Sequence, residues 1–253
     1  MLNKNSLSNF LLIIALIELL TSCAELTSTT RSKPTVEQKT IYEYQSVKSK
    51  QLINITAQFT TSTANTRTAT ADAHWRLLRE RGRVELLHLN SNTSEIWNET
   101  SNDLWFYQKV FHNDQQVIEY SPVDLKVLGM QPQWLSLALA INPRVLSAMG
   151  AGKPDKSFYG WKTEKYKGQI KGATYEVLWL PELAIAARVK CTEAGITSTT
   201  EMQKPFLMAE SPWQTINISG YRLIDYSDLG DMERDPFVIK IQGDILGGHD
   251  HKH

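Results

Sequence analysis

Along most of the chain the apolar positions recur every second residue, which is the signature of half-buried strands. Residues 73–79 and 84–89 alternate in this way, and the polar run Arg79-Glu80-Arg81-Gly82-Arg83 between them predicts a hairpin turn. A second hairpin is predicted from 104–112, the turn Asn113-Asp114 and 116–120. There Trp105, Tyr107 and Phe111 share one face while Leu104, Phe106 and Val110 share the other. Two apolar faces suit a sheet covered on both sides, or one whose inner face lines an apolar cavity.

One segment departs from the period of two. In 132–149 the spacing of Leu135, Leu139, Pro143 and Leu146 is helical, Pro132 suits a first turn and Gly150 a C-terminal stop. Pro143 interrupts the pattern, so a helix is predicted over 133–141, followed by a kink and a second short turn. Strands are then predicted at 158–166, 173–180, 184–192 and 197–203, with a turn at Leu180-Pro181-Glu182, and last strands at 217–226 and 237–242. The fold class expected is mainly β with a helical insert: a curved antiparallel sheet or incomplete barrel capped by helix. The same strand pattern also fits a β-sandwich or a closed barrel.

The amino terminus carries a different signal. Lys4 and the terminal amine precede 10–20 (FLLIIALIELL), an apolar run interrupted by Glu18. It is about half of the roughly 20 residues that a spanning helix needs. Leu20-Thr21-Ser22-Cys23 follows, and it resembles the lipobox of bacterial lipoproteins. The resemblance implies that 1–22 is a signal peptide removed before Cys23, that Cys23 bears the lipid, and that the new amino terminus is acylated too. Two or more acyl chains anchor stably where one does so marginally. Ala24, in place of the Asp that retains such proteins in the inner membrane, implies the outer membrane, facing the periplasm. Residues 23–39 are polar and Thr-rich, and read as a flexible tether with a reach on the order of 20 Å. Residues 40–243 then form one β-rich domain and 244–253 a flexible His-rich tail.

A meander of aromatic-rich strands, a helical insert and a lipidated amino terminus together resemble the LolA/LolB lipoprotein-carrier fold. That architecture implies a strongly curved, incompletely closed barrel, capped by helices, that shelters a hydrophobic ligand. The partners implied are the membrane, through the N-terminal lipid, and an apolar small molecule or lipid.

Lys and Arg balance Asp and Glu at 27 each, so nothing steers the chain toward nucleic acid. The sharpest metal-binding signal is the tail, where His249, His251 and His253 alternate with Asp250 between the first two. These are suitable ligands for Zn, Cu or Ni, although so short a tail supplies no preformed geometry. Asp225, Asp228, Asp231, Glu233 and Asp235 form an acidic cluster that lacks the spacing of a calcium loop and reads as a solvent-facing loop or capped helix. His74 and His88 fall in paired strands and read as satisfied strand histidines, His112 reads as exposed, and Cys191 as a buried small hydrophobe. No nucleophile, base and oxyanion set emerges. Two classes of function remain: a non-enzymatic lipid-anchored binding or carrier module for an apolar ligand, and an envelope metal-binding lipoprotein using the tail.

Overall fold

The computed structural model of the chain describes residues 48–65, 72–100 and 104–246. The strands are β1 (Ile55–Asn65), β2 (Ala73–Glu80), β3 (Arg83–His88), β4 (Thr93–Glu99), β5 (Trp105–Phe111), β6 (Gln116–Tyr120), β7 (Lys153–Phe158), β8 (Trp161–Ile170), β9 (Ala173–Leu180), β10 (Ile185–Glu193), β11 (Ile196–Leu207) and β12 (Arg222–Asp225). They form a single twelve-stranded sheet in the order β12-β6-β5-β4-β3-β2-β1-β11-β10-β9-β8-β7. The two outermost strands, β12 and β7, do not pair with each other, so the curved sheet is open and the closed-barrel and sandwich alternatives fall away. Each pairing is antiparallel except that of β12 with β6, which is parallel because the chain crosses the back of the sheet before returning.

Four α-helices accompany the sheet among the described residues: α1 (Pro122–Val127), α2 (Trp134–Leu139), α3 (Pro143–Ala148) and α4 (Pro236–Leu246). The local chemistry explains three of their boundaries. Ser121 caps α1, accepting from the Asp124 amide at 3.2 Å while Asp124 accepts from the Ser121 amide at 2.8 Å, and Pro122 occupies the first turn. Ala140, in the left-handed region at φ 53°, ends α2. Asn142 then caps α3 at the Arg144 amide, 2.9 Å away, with Pro143 at its start. The expected helix and second turn are therefore both present, and Gly150 follows as the stop at φ 78°.

Side chains that meet across the ladders divide the sheet into two faces. On the concave face Phe59, Trp75, Leu77, Trp97, Tyr107, Ile118, Val177 and Trp179 are buried with Leu125 of α1, Leu137 and Leu139 of α2, Val145 and Leu146 of α3, and Phe237, Val238 and Ile241 of α4. Phe59 and Trp75 stack at 4.2 Å. On the convex face residues 211–221 run as a belt from β1 toward β12. Thr56 donates to Ser211 at 2.8 Å, the Arg76 guanidinium lies 4.3 Å over Trp213, and Ile218 and Tyr221 cover Ile96, Val110 and Val117.

Several sequence expectations change. Residues 237–242, expected as a final strand, lie in helix α4, because Asp235 accepts from the Phe237 and Val238 amides and Phe237, Val238 and Ile241 recur at helical spacing on the buried side. The strand expected at 217–226 is confined to Arg222–Asp225, its first part being belt. The expected strand 158–166 is split by a turn at Tyr159 and Gly160, with φ of 48° and 87°, into the hairpin of β7 and β8.

Candidate functional site

The site is assembled where α1 and the start of α2 meet β5. Trp105 on β5 faces inward, and Trp134 at the head of α2 stacks on it at 4.5 Å, with 12° between the ring planes. Beside this pair opens a pocket of about 220 Å³ lined by Leu104, Trp105, Pro122, Leu125, Met130 and Pro132, with Lys126 and Gln131 as its polar members. Its surroundings expose apolar side chains that the fold does not require at the surface: Leu104 is 51% exposed, Val123 69%, Val127 80% and Met130 38%. Leu104 and Met130 line the pocket itself, and Val123 and Val127 are next in sequence to its lining residues Pro122 and Lys126 on α1.

Deeper in the concave face, rings step across neighbouring strands. Trp97 lies 4.8 Å from Tyr107, Tyr107 5.2 Å from Tyr120, and Tyr120 4.6 Å from Tyr226 in the 3-10 turn Tyr226–Asp231. Burial, reinforced by Glu95 and Tyr120, holds the Tyr107 phenol well above its ordinary pKa. Burial does the same to Tyr120, with Tyr226 adding to it. Nε1 of Trp97 is buried without an acceptor among the described residues. The lining is thus aromatic, with Glu95 beside it and one orphaned donor.

Arg79 lies in the same core, against the last turn of α2. It lies on β2 with the parity of Trp75 and Leu77, so its guanidinium enters the core, where it is 1% exposed. Among the described residues no carboxylate meets it; it donates to four carbonyl oxygens: Ala138 at 2.6 Å, Leu183 at 2.5 Å, Ala184 at 2.9 Å and Ile53 at 3.1 Å. Burial pulls its pKa down to about 9, which leaves it a cation at neutral pH. The Ala138 carbonyl belongs to the last turn of α2, where a cation is favoured by the helix dipole. One side chain thereby ties the helical insert, the β9–β10 turn and the segment entering β1 to the sheet.

The remaining candidates divide into three groups. Cys23, the tether, and His249, Asp250, His251 and His253 lie outside the described residues. His74 and His88 do not approach each other: Trp75 is the residue opposite His88, so the two imidazoles emerge on opposite faces, His74 beside Thr60 at 3.1 Å and His88 beside Glu95 at 3.0 Å. His112, expected at the surface, is buried beneath the belt, with Nε2 2.8 Å from Ser94 and Nδ1 3.3 Å from Tyr221. Cys191 is buried, as its alternation implied. Two members of the acidic cluster serve as caps: Asp225 accepts from the Ser227 amide, and Asp235 accepts from α4 and from Arg222 at 2.7 Å. Among the described residues no group of three or more potential ligands is placed to hold a metal.

Sequence patterning exposed the aromatic faces and the helical insert, but neither the Trp pair nor the clasp. Arg79 carried a usable signal, an odd-numbered place on an otherwise apolar strand face. A second groove of about 540 Å³, among Tyr159, Trp161, Lys204, Phe206 and Glu210, is open and of mixed polarity.

No family model matches the chain, and no curated protein matches it. Among solved structures the chain is similar to PNGF-II, with 12% identity and a TM-score of 0.37 over 70% of this chain and 32% of that one. It therefore spans about a third of that protein. It is also similar to LprF from Mycobacterium bovis, with 11% identity and a TM-score of 0.34 over 74% of this chain and 99% of that one. A LolA superfamily protein from Nitrosomonas europaea gives 10% identity and a TM-score of 0.28 over 72% and 96% of the two chains.

Proposed function

We propose that the chain is a lipid-anchored lipoprotein of the cell envelope, held at the outer membrane through Cys23, and that it binds or carries an apolar ligand of lipid character without catalysing a reaction on it. The observation that carries the binding role is the exposed apolar rim of Leu104, Val123, Val127 and Met130 around the pocket beside Trp105 and Trp134. At about 220 Å³ the pocket is smaller than the ~300–1,000 Å³ of ordinary ligand sites. It admits the end of an acyl chain as it stands.

The anchoring half of the proposal rests on Leu20-Thr21-Ser22-Cys23, and among the described residues no helix is long and apolar enough to cross a membrane. Replacement of Cys23 by Ser is expected to leave a precursor without acyl modification and to release it from membranes that retain the native chain. Normal processing and retention of that variant overturn the anchor.

The binding half is tested by titrating the purified chain with a fluorescent acyl-chain probe and by native mass spectrometry of protein taken from its own host. Val127→Asp, on an exposed position, is expected to weaken probe binding at least tenfold while leaving the unfolding midpoint in place. No probe affinity tighter than about 10 μM, or about −7 kcal/mol, and no copurified lipid would remove the carrier reading.

A further inference from the structure

Strand register gathers cations on the convex face of the half-sheet from β7 to β10. Lys153 stands directly opposite Lys165. Lys165 and Lys167 stand opposite Leu178 and Glu176, which in turn stand opposite Arg188 and Lys190. Residues directly opposite in an antiparallel pair point to the same side of the sheet. Lys153, Lys165, Lys167, Arg188 and Lys190 therefore occupy one face.

Two of these cations have acidic partners, Lys167 with Glu176 at 3.1 Å and Arg188 with Glu201 at 2.9 Å. Lys153, Lys165 and Lys190 have no ion pair among the described residues. The Glu176 carboxyl is held below its usual range by the hydrogen bond from Lys167 and by that lysine's charge, with Lys190 and Lys165 adding to the effect. One carboxylate is thus shared among three lysines. Like charges directly opposite each other destabilise a strand pair, so Lys153 against Lys165 is a cost; neither lysine has an ion pair among the described residues, although Glu176 and Asp155 share their face.

The rest of the convex face is different. Over β2 to β5 it is covered by the belt through Trp213, Ile218 and Tyr221. Because the whole chain carries 27 acidic and 27 basic residues, this local excess is balanced elsewhere. Asp225, Asp228, Asp231, Glu233 and Asp235 follow or end β12, at the other end of the strand order from β7.

We infer that the convex face of β7 to β10 is a docking surface for an anionic lipid bilayer. Its cations are spread over four adjacent strands of one sheet face, which matches a plane of headgroups and not a single bound anion. Four of the five are lysines, point charges on flexible stems that follow mobile headgroups without demanding bidentate geometry. A polar charged face also lets the sheet lie on the membrane surface without inserting. The inference deepens the proposed function and rests on it for delivery to the membrane: the tether brings the domain to the bilayer, and this face sets which side lies against it.

The test uses the processed chain reconstituted in neutral vesicles and in vesicles containing anionic phospholipid, with an amine-reactive label read residue by residue by mass spectrometry. Lys153, Lys165 and Lys190 are expected to react more slowly on anionic than on neutral vesicles, with Lys126 on α1 unchanged and the contrast lost in high salt. In the unacylated Cys23→Ser chain, the triple substitution K153Q/K165Q/K190Q is expected to lower the preference for anionic over neutral vesicles by about a hundredfold. Equal labelling on the two vesicle types overturns the docking surface. Equal protection by a soluble polyanion such as heparin overturns its assignment to lipid. Failure of the processed chain to float with neutral vesicles overturns the anchor instead. Flotation with anionic vesicles, lost in the triple variant, then still supports the docking surface, and flotation with neither vesicle overturns both.

Discussion

At the scale of single residues, two buried polar groups do most to hold the molecule in the arrangement described. Removing the Arg79 guanidinium leaves the carbonyls of Ala138, Leu183, Ala184 and Ile53 without their donor in the core. Arg79→Met fills similar volume and restores none of these bonds, so a loss of about 3 kcal/mol or more in urea unfolding is expected. A loss under about 1 kcal/mol would show the clasp to be dispensable. The second group is His112. Ser94 donates to Glu85 at 3.1 Å, so His112 meets Ser94 as a donor through Nε2 and accepts from the Tyr221 hydroxyl through Nδ1. Burial lowers its pKa, Glu85 partly opposes this, and Arg83, 2.6 Å from Glu85, neutralises that carboxylate. The sign follows from a folded pKa below the ordinary imidazole value near 6.5. Above that value neither state is protonated; as pH falls through it the unfolded chain takes up the proton first, and stability falls. His112→Gln keeps a donor for Ser94 but does not titrate. The difference in unfolding midpoint between the native chain and the variant is therefore expected to shrink from pH 8 to pH 5, and a constant difference would sink the account. The sequence reading left His112 outside because a hairpin end is usually exposed. The belt that covers it comes from more than a hundred residues away, as the 109-residue separation of His112 from Tyr221 shows.

At the scale of elements, strands with alternating apolar residues were legible, and those whose identity comes from pairing were not. β7 reads KPDKSF and exposes nearly all of its side chains, so only its register with β8 makes it a strand. β1 alternates Ile55, Ala57 and Phe59 inward, but its many threonines blur the period, although it joins the two halves of the sheet through β2 and β11. α4 was misread because Phe237, Val238, Ile239 and Ile241 form a short apolar run, which periodicity alone assigns equally to strand or helix. The helical insert was legible because it is longer and bounded by prolines and a glycine. Its packing supports a quantitative expectation. Leu139, fully buried at the end of α2, sits in a core shared with β2, β3 and β10. Leu139→Ala is expected to cost roughly 2–5 kcal/mol in urea unfolding, and a loss below about half a kcal/mol would mean that α2 packs loosely on the sheet. Gly168 on β8 fixes the neighbouring helix in another way. A Cβ there would lie 2.9 Å from Cγ and 3.3 Å from Cα of Met149, so the residue that ends α3 rests directly on the strand backbone.

At the scale of the whole molecule, the open sheet encloses its helices on one side and presents a half-covered, half-basic back on the other. The fold class was legible because the strand period and the helical insert are local signals. The clasp, the Trp pair and the belt were hidden because each joins segments distant in sequence. The carboxy-terminal sequence raises a question separable from this architecture. The described residues end at Leu246 of α4, and the tail residues His249, His251 and His253 lie beyond them. Metal binding by that tail is an alternative to the carrier role that the body of the molecule neither requires nor prevents. Neutral imidazoles bind zinc or copper and protonated ones do not, so the affinity of the full chain is expected to weaken as pH falls through about 6.5. Deleting residues 247–253 removes the ligands but leaves α4 whole, so binding should vanish with no change in unfolding midpoint. Calorimetry with zinc and copper on the full and shortened chains decides the matter. An affinity no tighter than about 10 μM, or about −7 kcal/mol, for the full chain makes the tail a solvated end. Tighter binding that survives the deletion places the metal elsewhere on the protein.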